Sequence, residues 1–283
     1  MKILVTGGAG FIGMNLIKRL VSEGHDVVSL DDYSTGFEKN EIEGCNYINA
    51  DIESLEYWKG EGFDLCYHIA AQSRVQPSFT DPTDCFRINV KGTETVMEWA
   101  KHNNVKVVYA GSSSKHHDPT DSPYAMYKYL GEEVCKLYKK TYDVNVEICR
   151  FYNVYGDGES LDLQNGNVIG IWRTLVSKDK KLTIVGDGEQ RRDFIHVDDI
   201  VEGLYRIGLV DNKHEDAWEL GSGVNYSVNE LFGFFKEKYP NIDAIYIPDQ
   251  KGNYRETLNT NTDTTERLGW KPKDRLKDYI LSL

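Results

Sequence analysis

The segment GSSSKHHDPTDSPYAMYK, residues 111–128, carries side chains that could move a proton. Tyr124 and Lys128 are four residues apart, a spacing that places two side chains on one face of a helix. A lysine ammonium next to a phenol lowers the pKa of the phenol, which would prepare Tyr124 to act as a base. The alternative is a solvated loop that leads into a helix, because a Tyr-x-x-x-Lys spacing is a weak signal by itself.

Around this segment, short apolar runs alternate with helical patterns. Near-continuous apolar strands separated by helices indicate a parallel sheet with both faces covered. After residue 150 the elements become shorter, which indicates a smaller second lobe. We therefore predict an α/β fold with a doubly wound parallel sheet and a smaller mixed α/β lobe. Strands are predicted at 2–6, 26–30, 46–49, 63–70, 105–110 and 144–150, and helices after the first strand to about 22, near 82–102 and near 122–142.

A glycine-rich loop, TGGAGFIG, directly follows the first predicted strand. Gly7, Gly10 and Gly13 let the backbone turn tightly and approach a pyrophosphate that sits on the N-terminus of the next helix. The second strand ends in Asp31 and Asp32, and Asp31 comes 18 residues after Gly13. A carboxylate at about this distance binds the adenosine ribose hydroxyls and repels a 2′-phosphate. The sequence therefore predicts a Rossmann-type site that takes NAD rather than NADP.

Asp51 and Ile52 directly follow the third predicted strand. This position could place them against the adenine of a bound dinucleotide. Asp51 could equally cap the short helix that comes next, because aspartate is a preferred residue at a helix N-terminus. Both interpretations stay open at the level of the sequence.

The composition of the 283 residues excludes several classes of protein. The net charge of −12 argues against a nucleic-acid partner, which requires a basic surface. Five cysteines without a C-x-x-C pair argue against a disulfide framework and a zinc site. The N-terminus breaks into glycines after a few apolar residues, which is not typical of a signal peptide, and no apolar run approaches the ~20 residues of a membrane span. We expect a cytoplasmic protein that binds no membrane.

The motifs taken together resemble the extended short-chain dehydrogenase/reductase family, in its nucleotide-sugar epimerase/dehydratase branch. The resemblance covers nearly the whole chain and is close to UDP-glucose 4-epimerase-like enzymes. It rests on TGGAGFIG, HIAAQS (68–73), NVKGT (89–93), SSS (112–114), YAMYK (124–128), RFYNVYG (150–156), GDGEQRRDFIHVDD (186–199) and LGWKP (268–272). It implies a Rossmann NAD-binding domain at 1–165 and a nucleotide-sugar-binding lobe at 166–283, with about 193–225 crossing back.

This resemblance implies a catalytic set of Ser112, Tyr124 and Lys128. Tyr124 would be the general base, and its phenolate would be stabilised by Lys128 and by the bound nicotinamide. Ser112 would hold the sugar hydroxyl, with Ser113 as the next candidate in the serine triplet. The implied NAD-binding residues are Gly7, Gly10, Phe11, Ile12, Gly13, Asp31, Asp32, Asp51, Ile52, Ala70, Ala71, Asn89, Tyr124 and Lys128.

The later lobe would bind a nucleoside-diphosphate sugar. Arg192 would clamp the phosphates, with Arg191 as the fallback, and Arg255 could supply a second clamp. The alternative for Arg191 and Arg192 is ion pairing at the surface with neighbouring aspartates. The implied substrate-binding residues are Ser73, Ser113, Asn153, Val168, Arg192 and Arg255.

The serine triplet narrows the expected reaction. In the family that the chain resembles, dehydratases carry an Asp-Glu pair after the catalytic hydroxyl, and decarboxylases carry a glutamate at the second of these positions. Here Ser113 and Ser114 occupy the two positions, so the resemblance implies epimerisation at C4 through a transient 4-keto sugar. A 4-keto reductase and a catalytically inactive NAD-binding scaffold are the rival interpretations.

The chain departs from the family pattern between Ser112 and Tyr124, where only 12 residues separate the two side chains. His116 and His117 in this short loop could contact substrate, but we expect solvated loop residues. We expect no metal site, because adjacent histidines point apart and no ligand cluster lies nearby. The resemblance also implies a homodimer that pairs the helices near 82–102 and 122–142. Their apolar positions are Val90, Val96, Met97, Tyr127, Leu130, Val134 and Leu137.

Overall fold

The computed structural model describes residues 1–211 and 214–283. Seven parallel strands form one sheet in the order β10-β6-β5-β4-β1-β2-β3, and two smaller sheets have the orders β11-β9-β7 and β12-β8. The strands are β1 (Lys2–Thr6), β2 (Asp26–Asp31), β3 (Cys45–Asn49), β4 (Leu65–His68), β5 (Lys106–Ser112), β6 (Val146–Phe151), β7 (Asn153–Tyr155), β8 (Leu182–Val185), β9 (Arg191–His196), β10 (Trp218–Leu220), β11 (Asn225–Ser227) and β12 (Ala244–Ile247). The predicted α/β architecture is confirmed.

Helices cover both faces of the large sheet and the outside of the smaller lobe. They are α1 (Phe11–Ser22), α2 (Val75–Thr80), α3 (Pro82–Phe86), α4 (Thr93–Asn103), α5 (Pro123–Tyr142), α6 (Val168–Ser177), α7 (Val197–Leu209), α8 (Val228–Lys238), α9 (Asp263–Leu268) and α10 (Leu276–Ser282), with one π-helical segment at Arg87–Gly92 between α3 and α4. One apolar core lies between the sheet and α1 with α7, and a second lies between the sheet and α4 with α5. All six strands predicted before residue 150 form, although β4 is shorter than predicted and β5 continues to Ser112.

The start of α5 determines where Tyr124 and Lys128 point. The Ser122 side chain accepts a hydrogen bond from the Ala125 N–H, and Pro123 occupies the first turn, where its missing N–H costs nothing. The helix therefore begins at Pro123, and its next turn carries Lys128 towards β5. Lys128 is buried there, 5% exposed, whereas Tyr124 is half-buried in the first turn of the helix.

The chain crosses back to the large sheet after β9. Helix α7 packs against α1, and β10 pairs in parallel with β6 at the edge of the sheet. The smaller lobe has a core of its own, formed mainly by α6, α8, α10 and the strands β8 and β9. The domain boundary at 165/166 stays a prediction; it lies in the loop between β7 and α6. Across residues 1–211 and 214–283, no helix has the length and apolar character to cross a membrane.

Candidate active site

The glycine loop between β1 and α1 leaves no room for side chains. Gly7 has φ +75°, and a Cβ there would lie 2.8 Å from the backbone of Ala70 at the end of β4. A Cβ on Gly13 would lie 2.1 Å from the Gly7 carbonyl oxygen. Phe11 and Ile12 occupy the first turn of α1, where backbone N–H groups have no helical acceptor. The loop is therefore a cradle for an anionic group at the start of a helix.

Asp31 lies at the C-terminal end of β2 and points back to this loop. Its carboxylate accepts hydrogen bonds from the Ala9 N–H at 2.9 Å and from the Tyr33 N–H at 2.8 Å. Burial raises the pKa of Asp31, and these two backbone bonds act in the opposite direction. Asp32 differs, because it is exposed and binds the backbone and hydroxyl of Ser34. Of the two predicted ribose acceptors, only Asp31 is built into the loop.

Several other predicted NAD-binding residues have structural partners. Asp51 caps the 3-10 helix Ile52–Tyr57 by accepting from the Glu53 N–H, and it forms an ion pair with Arg87 at 2.7 Å. The capping alternative is therefore realised, while the Asp51 contact with adenine stays a prediction. Asn89 bonds the N–H and the carbonyl of Gln72, both at 2.9 Å, and so fixes the loop that carries Ala70 and Ala71. Ile52 packs in the second core.

The predicted catalytic hydroxyls meet at the C-terminal end of β5. The Tyr124 hydroxyl donates to Ser112 Oγ at 3.3 Å, and Ser112 Oγ also accepts from the Ser114 N–H at 3.2 Å. Burial raises the pKa of Tyr124, and the Ser112 hydrogen bond and the positive charge of Arg74 act in the opposite direction. Of the three serines, Ser112 is the one within hydrogen-bond distance of Tyr124.

Lys128 does not hydrogen-bond Tyr124 directly. Its Nζ donates to the Ala110 carbonyl at 2.5 Å and lies 4.9 Å from the centre of the Tyr109 ring. Burial lowers the pKa of Lys128 to about 8, and Glu132 opposes this shift. His68, one strand away, is a core histidine whose ring bonds Thr6 at 2.9 Å and Thr93 at 3.1 Å.

The short loop after the serine triplet is fixed at both histidines. His116 Nε2 lies 2.9 Å from a carboxylate oxygen of buried Glu219, and this hydrogen bond raises the pKa of His116. The His117 ring stacks on the Tyr254 ring, with centroids 3.9 Å apart and planes 7° apart. Both histidines lie in the loop as expected and His116 is exposed, but each also has a contact within the protein. The loop is tied to the large sheet by one histidine and to the later segments by the other.

Arg192 lies near the start of β9, in the later part of the chain. Its guanidinium donates to Asn253 Oδ1 at 2.5 Å and to the Arg191 carbonyl at 2.8 Å. Burial lowers the pKa of Arg192 to about 10, and Tyr254 opposes the shift. Within the described part of the chain it forms no ion pair with a carboxylate. Arg191, by contrast, pairs with Glu230 at 2.9 Å, and in the described part of the chain neither arginine forms an ion pair with the neighbouring aspartates.

The remaining predicted substrate residues are placed less directly. Asn153 donates its amide to the Asp193 carbonyl and to Thr257, both at 3.2 Å. Val168 is half-buried at the first position of α6, and Ser73 is exposed in the loop after β4. Arg255 is exposed and forms a two-bond ion pair with Asp187, at 2.9 and 3.1 Å. Its role as a second clamp stays a prediction, and its guanidinium already has an anionic partner.

Two residues in the cleft were not predicted from the sequence. Arg74 precedes α2, and Tyr254 lies in the loop after β12. Both come from segments remote in sequence from Tyr124, and no short motif contains them. An arginine directly after the HIAAQS motif was the available signal, since a charged residue next to a strand end in a parallel sheet lies at the ligand-binding edge.

One family of known proteins matches most of this chain. Residues 3–221 match the NAD-dependent epimerase/dehydratase family. The chain belongs to this family. The predicted family resemblance is therefore confirmed, and so is NAD as the cofactor of the family. The glycine cradle and the buried Asp31 carboxylate have the chemistry that this cofactor requires, because a glycine loop at a helix start suits a pyrophosphate and a carboxylate at the end of the second strand suits ribose hydroxyls.

Relatives with different activities share the family fold. A protein of Methanocaldococcus jannaschii, provisionally named UDP-glucose 4-epimerase, is 34% identical over 98% of this chain and 95% of its own. UDP-glucuronic acid decarboxylase 4 of Arabidopsis thaliana is 28% identical over 99% of this chain and 67% of its own. The UDP-glucuronic acid 4-epimerase of Bacillus cereus, solved with UDP-glucuronic acid and NAD, superposes with a TM-score of 0.91 at 25% identity, covering 99% and 96% of the two chains. The family therefore leaves the reaction and the sugar open.

Proposed function

We propose that this enzyme epimerises a nucleoside-diphosphate sugar at C4 through a transient 4-keto sugar. The observation that carries the proposal is the Tyr124–Ser112 hydrogen bond of 3.3 Å at the carboxyl edge of the sheet, with serines instead of acids at 113 and 114. Oxidation and re-reduction at one carbon need a base and a hydride carrier but no acid that expels water. UDP-hexoses are the favoured substrates because UDP-sugars occur in the names of the relatives.

Tyr124, once its hydroxyl has released its own proton to solvent, is a phenolate that accepts the proton of the C4 hydroxyl. Ser112 Oγ lies 3.3 Å from the tyrosine hydroxyl. It orients the sugar hydroxyl and hydrogen-bonds the Tyr124 side chain. Bound NAD supplies a hydride acceptor and, once reduced, the hydride donor. After the 4-keto sugar rotates in the site and hydride returns to its other face, Tyr124 returns the proton to the C4 oxygen. The protein must therefore hold the sugar loosely enough to rotate and the nucleotide firmly enough to stay.

In this proposal Lys128 stabilises the Tyr124 phenolate through its charge and not through a direct hydrogen bond. Its ammonium is buried against the Ala110 carbonyl. Its electrostatic interaction with a nearby charge is stronger there than in water, because water is excluded. Burial lowers the pKa of Lys128 to about 8, so the group changes charge near neutral pH unless an anion forms beside it. A Tyr124 phenolate would be such an anion. The two groups would then be coupled, with charge on one favouring charge on the other.

Arg192 supplies the clamp for the diphosphate. It is half-buried, it has no carboxylate partner in the described chain, and Asn253 and the Arg191 carbonyl orient its guanidinium. A planar guanidinium binds phosphate oxygens in pairs, which makes it a suitable clamp. The predicted contacts of Val168 with the nucleobase and of Asn153 with the phosphate or sugar belong to the same proposal.

A decarboxylase is a second candidate, because a decarboxylase is among the relatives. Loss of CO2 next to a 4-ketone leaves a carbanion that needs a proton donor. Ser113 and Ser114 are neutral hydroxyls and poor donors of that kind, so epimerisation is favoured. A reductase that exchanges its reduced cofactor with solvent uses the same Tyr124 and Lys128, and it differs in releasing the cofactor after each turnover.

Product analysis tests the proposal. Purified enzyme with NAD and a UDP-hexose or UDP-hexuronate should give only stereoisomers of unchanged mass. In deuterated water the sugar should gain no carbon-bound deuterium at C4, because that hydrogen does not exchange with solvent. Loss of water or CO2, deuterium at C3 or C5, or stoichiometric consumption of NADH would contradict C4 epimerisation.

We also propose that the enzyme is a cytoplasmic homodimer. Val96 and Met97 are fully buried in the core, so these two predicted interface residues are not available to a partner. Leu137 is 53% exposed, Val90, Tyr127 and Leu130 are half-buried, and Val134 packs against the second core. Leu137→Lys should shift light scattering at micromolar concentration from dimer towards monomer, and a monomeric wild type would contradict the assignment.

A further inference from the structure

Ion pairing separates two arginines from all the others. The chain has eleven arginines and 45 acidic residues. Nine of the arginines form ion pairs with carboxylates: Arg19, Arg87, Arg150, Arg173, Arg191, Arg206, Arg255, Arg267 and Arg275. Among residues 1–211 and 214–283, Arg74 and Arg192 form none. In an acidic protein, a guanidinium without a carboxylate partner indicates a place reserved for an anion from outside.

The two unpaired arginines come from different segments of the chain. Arg192 is held by Asn253 and the Arg191 carbonyl, in the later lobe. Arg74 immediately precedes α2, and the hydroxyl of Ser78 in that helix accepts the Tyr124 N–H at 3.1 Å. Arg74 therefore lies beside the base. Its charge is also among the groups that act on the pKa of Tyr124, after burial and the Ser112 hydrogen bond.

One hydrogen bond orients the Arg74 side chain and leaves the rest of its guanidinium without an acceptor in the described part of the chain. Its Nε donates to the Asn165 carbonyl at 2.8 Å, across the cleft in the loop before α6. Its Nη1 and Nη2 groups donate to no acceptor in the described part of the chain. Burial lowers the pKa of Arg74, and Tyr124 and Glu159 oppose this shift, yet an arginine stays charged in proteins. The two free groups form the planar fork that suits a carboxylate.

We propose that Arg74 binds a carboxylate on the sugar, so that the substrate is a nucleoside-diphosphate uronic acid. The inference rests on the proposed function, because it takes a nucleotide sugar with its C4 hydroxyl at Tyr124 as the ligand. The carbons next to C4 are C3, with a hydroxyl, and C5, which carries C6. A cation beside Tyr124 therefore faces one of these two substituents, and C6 is the one that carries the carboxylate in a uronic acid.

The rival role for Arg74 is a second diphosphate clamp alongside Arg192. The two roles predict different ligand dependence. A diphosphate clamp contributes to the binding of UDP alone, whereas a carboxylate clamp contributes only when the sugar is a uronic acid. Binding measurements separate the roles without turnover, so they remain informative whatever reaction the enzyme performs.

The experiment measures dissociation constants of the NAD-loaded enzyme for UDP, UDP-glucose and UDP-glucuronic acid by calorimetry. Arg74→Gln should lower the affinity for UDP-glucuronic acid by about tenfold or more, the usual loss when a charged group loses its hydrogen-bond partner. Affinity for UDP should stay within about threefold of wild type. Arg74→Lys, which keeps the charge and loses the fork, should fall between Arg74→Gln and wild type for the uronic acid.

Two further variants control the result. Arg192→Gln should weaken the binding of all three ligands. Arg206 lies on α7 in an ion pair with Glu202, and Arg206→Gln should leave the three dissociation constants unchanged. Equal losses for UDP and UDP-glucuronic acid in Arg74→Gln would make Arg74 a phosphate clamp and overturn the inference. A wild-type enzyme that binds UDP-glucose as tightly as UDP-glucuronic acid would overturn it too. Neither result would affect C4 epimerisation, which is tested by product mass and deuterium.

Discussion

The cofactor half and the sugar half of the cleft are built in opposite ways. In the cofactor half, glycines and backbone N–H groups set the geometry, and Asp31 already accepts two of those N–H groups. In the sugar half, Arg74 and Arg192 keep their charges without a carboxylate partner in the described chain, and a short loop is held from two sides. The first half is nearly complete without a ligand, and the second has charged groups that a ligand must satisfy.

This difference matches the demands of the proposed reaction. A cofactor that is reduced and reoxidised in each turnover gains from a rigid, preformed site. A sugar that must turn over between two hydride transfers needs firm contacts on the diphosphate and fewer on the ring. In the proposed function, Arg74 and Arg192 bind the charged parts of the substrate, and the hydroxyls of Ser112 and Tyr124 meet C4. Variants that affect one half alone test the contrast.

Tyr124→Phe should have the largest effect on turnover. It removes the hydroxyl that bonds Ser112 and retains the ring in its pocket. Removal of a general base typically costs about 10²–10⁴-fold in rate, and the affinity for NAD should stay close to wild type. The measurements are steady-state turnover and NAD binding. Tyr127→Phe, one turn away with its ring against Phe86, is the matched control and should retain activity. Near wild-type turnover in Tyr124→Phe would refute the mechanism.

Gly7→Ala should damage the cofactor half alone. A Cβ at Gly7 would lie 2.8 Å from the Ala70 backbone, and the residue has φ +75°. The added methyl must displace the loop that receives the pyrophosphate, so NAD affinity should fall more than about tenfold, as for loss of hydrogen bonds to a charged group. Fluorescence titration with NADH measures this.

Gly24→Ala separates the effect of backbone strain from the effect of the close approach to Ala70 in the Gly7→Ala variant. Gly24 has φ +77°, but nothing lies within 4 Å of a Cβ there. Both variants should lose stability from backbone strain, by about 1–2 kcal/mol. Only Gly7→Ala should also lose NAD affinity. Equal NAD affinities in the two variants would show that the close approach of Gly7 to Ala70 has no part in binding.

The same contrast explains what the sequence could predict. The glycine loop, the strand that ends at Asp31 and the Tyr124–Lys128 helix are local patterns, and each lies where it was predicted. Arg74 meets Asn165 across 91 positions, and His117 meets Tyr254 in another lobe, so no periodicity reports these contacts. The direct Lys128–Tyr124 contact implied by a four-residue spacing is replaced by a bond to the Ala110 carbonyl, because burial makes that acceptor necessary.

Asp31→Asn should weaken the preference for NAD over NADP. The amide keeps an oxygen that can accept from the Ala9 N–H, but it loses the negative charge that repels a 2′-phosphate and attracts ribose hydroxyls. NAD affinity should fall about tenfold, and NADP affinity should rise relative to it. Asp32→Asn, at the exposed neighbour, should leave both affinities unchanged. A wild type that prefers NADP would show that the cofactor assignment of Asp31 is wrong.

His116→Gln should have the smallest effect, and it should appear in stability as a function of pH. The Glu219 hydrogen bond raises the pKa of His116 above the ordinary value near 6.5. The stability it contributes is therefore fully present below about pH 6.5 and is lost as the pH rises through the higher folded-state value. Because His116 is half exposed, the expected change in unfolding free energy is below about 1 kcal/mol.

Urea unfolding at pH 6 and pH 8 should show a smaller difference in unfolding free energy between the two pH values in His116→Gln than in wild type. His102→Gln, at an exposed position on α4, controls for loss of a histidine. An unchanged pH difference would mean that the short loop is held without His116, and the stacking of His117 on Tyr254 would then be its main anchor in the sugar half.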